Sequence, residues 1–132
     1  MGLCIYPGEA SWSYSGFHEF RRRLAAEEGL ELEQMHGFGP MLPGSRPHYD
    51  PTLPLIEWSE VPTSLEPLLN HSDCDGFLSM GDCEEMLPRL REIRARWASE
   101  ARASIDYDLV QLDRLIDGME HVVYHGCAMG FG

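Results

Sequence analysis

The sequence predicts one α+β domain, mainly helical, with about four helices, a small N-terminal strand element and a long Pro-rich loop. Three observations lead there. Apolar residues recur at helical spacing through the second half, a short apolar run opens the chain, and residues 36 to 62 hold six prolines. A chain of 132 residues has room for one full-sized core, so residues 1–132 are read as a single domain.

The opening GLCIYP reads as a short strand closed by Pro7-Gly8. A first helix is expected over Gly16 to Glu28, with Ser15 as N-cap, Phe17, Phe20 and Leu24 as its apolar stripe, and Gly29 just past its end. Leu30 and Leu32 suggest a brief extended segment. The Pro/Gly-rich loop 36–62 follows, its end pinned to the core by Leu55, Ile56 and Trp58. Residues 64–98 read as helix-loop-helix. Thr63 or Ser64 caps a short helix carrying Leu65, Leu68 and Leu69, and Ser79 caps a longer one starting near Met80, with Asp82 three residues on. In that longer helix Cys83, Met86, Leu87, Leu90, Ile93 and Trp97 share one face and Pro88 lies opposite. Glu85–Arg89 and Glu92–Arg96 are the expected i,i+4 pairs. A fourth helix is expected over Ile105 to Tyr124, with Leu109, Leu112, Leu115, Ile116, Met119, Val122 and Val123 facing the core. The tail GCAMGFG either runs along the surface or returns to pair with the first strand.

Charge narrows the partners. The balance is 22 acidic against 10 basic residues, a formal net charge of -12. Such a surface repels phosphate backbones and anionic lipid, so neither nucleic acid nor membrane is expected as a partner. No run approaches the roughly 20 apolar residues that span a bilayer. The opening lacks a charged leader segment, and the four cysteines read as free thiols, so a cytoplasmic location is expected.

The segment from His71 to Asp82 carries the most chemistry. Carboxylates at Asp73 and Asp75 alternate, Gly76 follows, Leu78 is apolar, Ser79 offers a hydroxyl and Asp82 arrives from the next helix. This resembles the twelve-residue calcium loop of an EF-hand, with His71 at position one and Asp82 at position twelve, where that pattern has Asp and Glu. Cys83, Met86, Leu87 and Leu90 fall where the EF-hand pattern places apolar residues. The resemblance implies a Ca2+ site in which Asp73, Asp75 and Asp82 supply carboxylates, Phe77 a backbone carbonyl, Ser79 a direct or water-mediated oxygen and His71 a further contact. Three acids and one loop imply weak binding, about 10⁻⁴–10⁻³ M. The alternative is a structural corner, with Asx turns at Asp73 and Asp75 and positive φ at Gly76. The chain as a whole is similar to a group of small uncharacterised bacterial and phage proteins with a like SYSGF segment (Ser13 to Phe17) and HSDCDG core (His71 to Gly76). That likeness brings no assigned activity.

Other constellations are weaker. His71, Cys74 and Cys83 are zinc-type ligands without zinc-type spacing. Cys74 with His71 as base lacks an oxyanion element. His121 and His125 sit one helical turn apart, a spacing suited to zinc or another transition metal, but their exposed row with Asp113 and Asp117 reads first as a solvated face. Arg21, Arg22 and Arg23 spread around their helix, with Glu19 four residues before Arg23. Trp12, Tyr14, Phe17 and Phe20 read as a packing cluster. The leading functional expectation is a non-enzymatic acidic regulatory or interaction protein with a protein partner and a weak metal loop. An acidic inhibitor or immunity-type protein docking on a basic partner is the second. A small-molecule site or enzyme lidded by the Pro-rich loop, near Trp12, Tyr14, Trp58 and His48, is the third.

Overall fold

Alternation of small, apolar and polar residues at the start builds a hairpin. Strand β1 (Gly2–Tyr6) pairs antiparallel with β2 (Ala10–Ser13), Leu3 opposite Trp12 and Ile5 opposite Ala10. In this computed structural model, which describes residues 2–38, 54–72, 75–100 and 106–132, the chain then runs α1 (Tyr14–Glu27), α2 (Glu66–Leu69), β3 (Gly76–Leu78), α3 (Met80–Glu100), α4 (Tyr107–His125) and β4 (Met129–Phe131). Single 3₁₀ turns lie at Leu32–Gln34 and Trp58–Glu60. The architecture is α+β and mainly helical. The tail returns: β4 pairs with β1 on one side and β3 on the other, giving an antiparallel sheet in the order β2-β1-β4-β3.

Alternation along each strand sends Leu3, Ile5, Ala10, Trp12, Leu78, Met129 and Phe131 to the buried face. Onto it pack the stripes of α1 (Phe17, Phe20, Leu24) and α4 (Leu112, Leu115, Ile116, Met119, Val122), while α3 lies along α4 with Cys83, Met86, Leu87, Leu90, Ile93 and Trp97 buried. Leu109 and Val123 are only partly buried, at the margin of the same face. Pro88 sits exposed inside α3. Its missing N–H is therefore lost on the solvent side, and the buried face stays continuous.

Several local expectations need correcting. Helix α1 starts earlier than Gly16, because Ser13 rather than Ser15 caps it, accepting the Gly16 N–H at 3.0 Å. Its far end is as expected: Gly29 N–H and Leu30 N–H return to the Ala26 and Ala25 carbonyls, a Schellman closure. The segment after Leu30 coils into a 3₁₀ turn rather than extending. Leu55 is exposed; Ile56 and Trp58 make the anchor instead, Ile56 by bridging to Met35 and Trp58 by donating Nε1–H to the His36 carbonyl at 3.0 Å. Residues 39–53 of the Pro-rich loop lie outside the described residues. The pairs Glu85–Arg89 and Glu92–Arg96 are replaced by better-placed partners. Arg89 reaches Glu28 at 3.2 Å and also binds Glu92, while Arg96 faces Glu27 and Glu100. Strands β2 and β3 form where the sequence pattern gives no strand, the second inside the segment whose pattern reads as a loop.

One node ties three helices. The Arg23 guanidinium grips Asp106 through two bonds of 3.0 and 2.9 Å and lies 3.8 Å over the Trp97 ring. Asp106 also caps α4 by accepting the Leu109 N–H. Arg23, and secondarily that backbone bond, hold the Asp106 carboxyl below its ordinary range.

Candidate functional site

The corner from His71 to Asp82 is built on a buried arginine. Arg21, from α1, is 3% exposed; its Nη1 donates to the Leu69 and His71 carbonyls at the end of α2, and its guanidinium packs over Phe17 and Phe38. Fixing the His71 backbone aims its ring. The ring stacks on Phe131 at 4.0 Å, with Nε2 2.9 Å from the Phe77 carbonyl and Nδ1 2.9 Å from the Ser72 carbonyl. A carbonyl can only accept, so a ring nitrogen that bonds one must donate, and a neutral ring, with one N–H, bonds one of these two carbonyls at a time. Gly76 adopts φ +107°, and a Cβ there would press on the imidazole at 3.1 Å, so two constraints select glycine.

The proposed ligands sort into local pairs. Phe77 lies in β3 and is 76% exposed, and the carbonyl assigned to calcium is the one His71 bonds. Asp75 is exposed and accepts from Ser72 Oγ at 3.1 Å. Ser79 Oγ accepts the Asp82 N–H at 3.1 Å, the cap expected for α3, and Asp82 sits in that helix's first turn. Asp73 and Cys74 lie outside the described residues. Among the described residues no group of three or more His, Cys, Asp and Glu side chains is placed to hold a metal ion. The incoming helix of the corner is a single turn, and the loop's second half is a strand bonded to β4.

The other candidates are likewise located. Cys83 is wholly buried, and burial, with Asp82 and Cys127 nearby, pushes its thiol up to about 11, which keeps it protonated as a core residue. The three consecutive arginines go to three places: Arg21 inward, Arg22 to Glu19 and Glu33, Arg23 to Asp106 and Asp108. Glu19 therefore pairs with Arg22, not Arg23. Trp12 stacks on Phe20 at 4.4 Å and donates to Asp108, while Trp58 packs on Phe38, so these two indoles serve different clusters. His48 lies outside the described residues.

Two features carried no usable sequence signal. Glu33 is 1% exposed, binds Arg22 Nε at 2.8 Å, stands 3.4 Å from His18 Nε2, and lines a groove of about 390 Å³ with Glu31 and Asp108. It sits in an ordinary polar stretch. The second is a bias in charge pairing. Arg22, Arg23, Arg89, Arg91, Arg94 and Arg96 are all engaged by carboxylates of this chain. Glu57, Glu60, Glu84 and Glu85 are exposed and have no arginine partner among the described residues. No helix of the described residues is long and apolar enough to cross a membrane. No family model matches this sequence, and no curated protein and no solved structure matches it either.

Proposed function

We propose that this chain is a non-enzymatic acidic interaction domain that docks on a basic protein surface, with the 71–82 corner serving as scaffold. The observation that carries this reading is the internal use of arginine. Six basic side chains are neutralised within the fold while glutamates on the 3₁₀ turn before α2 and at the start of α3 are not, so the excess negative charge of the -12 chain stands on the surface. A field of that sign attracts a positive patch, speeds encounter and disfavours acidic competitors. The His71–Phe77 bond supports the scaffold role, since it ties the start of the corner to β3.

The test is affinity capture with the full chain as bait, eluted by a salt gradient and separately by EDTA. A basic partner that leaves with salt, ignores EDTA and is lost from a variant carrying Glu57, Glu60, Glu84 and Glu85 all as Gln is the expected result. A partner released by EDTA, or one held equally by the neutralised variant, overturns it.

A further inference from the structure

We propose that His121 and His125 form a two-imidazole site for a borderline transition-metal ion, Cu2+ or Ni2+ ahead of Zn2+, independent of the interaction reading above. The two residues are one turn apart on α4, both exposed, with ring centroids 4.2 Å apart. Rings that close can turn one nitrogen each toward a shared ion, the remaining positions being filled by water. Two further features favour a cation there. The pair occupies the last turns of α4, which ends at Gly126, so the ion would sit at the negative end of the helix dipole. Asp117, one turn before His121, is exposed and has no arginine partner among the described residues, which leaves its negative charge beside the pair. Imidazole selects copper, nickel and zinc over calcium or magnesium, so a response to copper here is distinguishable from any calcium binding at the 71–82 corner.

The experiment titrates the full chain with Cu2+ alone, following copper–imidazole absorption and equilibrium dialysis, then repeats with Ni2+ and Zn2+. The variants are His121→Asn, His125→Asn and, as control, His36→Asn at another exposed histidine. One equivalent should bind, in the order copper, nickel, zinc. Because the second ring acts at high effective concentration, either α4 variant should weaken binding roughly 100-fold, while the control leaves it unchanged. Copper held equally by wild type and both α4 variants, or no stoichiometric copper binding, overturns the site. Circular dichroism of the variants separates loss of the ligand from loss of the helix.

Discussion

The sheet has two edges, and the protein closes them in different ways. At β2 the outward N–H and C=O of Ser11 are taken by helix α4: Gln111 Oε1 accepts the N–H at 2.8 Å, and the Tyr107 hydroxyl donates to the carbonyl at 2.7 Å. At β3 the Phe77 carbonyl is taken by His71, six residues back along the chain. Both devices blunt an edge that would otherwise template pairing with another chain. They differ in reach. The β2 guard exists only when the last long helix has docked, so that edge shares the stability of the whole fold. The β3 guard closes over six residues, with Arg21 and Phe131 steadying it, and should open at lower cost than the core.

The largest expected effect attacks the docking that the β2 guard needs. Gly118 of α4 meets the turn between β1 and β2 so closely that a Cβ would collide with the Pro7 carbonyl. Gly118→Ala should therefore cost about 3 kcal/mol in urea unfolding and raise amide exchange across β2. A loss confined to α4 would break the proposed coupling. Gln111→Ala removes a buried side chain and leaves the half-buried Ser11 N–H without its acceptor, and should cost about 2 kcal/mol.

Asp106→Asn comes next, at about 1 kcal/mol, because it keeps a capping oxygen on the helix that carries the β2 guard but removes the charge Arg23 grips. The sign with pH follows from the depressed carboxyl. Its stabilisation is present above the ordinary aspartate value near ~4 and is lost as pH falls through the lower folded value. Wild type should thus lose its excess Tm over the variant below about pH 4, and an excess that persisted in acid would remove Asp106 as the cause.

His71→Ala should move global stability least among the substitutions, by less than about 1 kcal/mol, while exchange at β3 and β4 amides rises strongly. Equal changes in both measures would make the β3 edge as global as the β2 edge. Calcium should do less still: Tm of EDTA-stripped protein should stay constant on titration to millimolar Ca2+. A rise that Asp75→Ala abolishes would make the corner a metal site after all.

The long helices were legible because periodicity needs only local sequence. The α3 face from Cys83 to Trp97 and most of the α4 face bury as the spacing predicts. The edges were not. A four-residue ASWS and a three-residue GFL are too short for alternation to stand out, and their pairing is decided by partners far along the chain. The same limit hid the site chemistry. Ser79 as the α3 cap could be read because its partner is three residues away, whereas Arg21 supporting His71 is a meeting of distant segments. Charge pairs failed for that reason too: helical spacing suggested Glu85 for Arg89, and α1 brought Glu28 to it instead.

The position of β4 also shapes how the molecule is made. Of all the described strands it is the last to be synthesised, yet it lies inside the sheet, joining the β1–β2 hairpin to β3. Until it emerges, the nascent chain holds two unconnected pieces of sheet, and β1 presents an open side at what will become the interior. Closure must wait for contacts between distant parts of the chain, which are slow to form. Folding on the ribosome would therefore be helices first, with an unfinished sheet needing protection until the final strand slots between its neighbours.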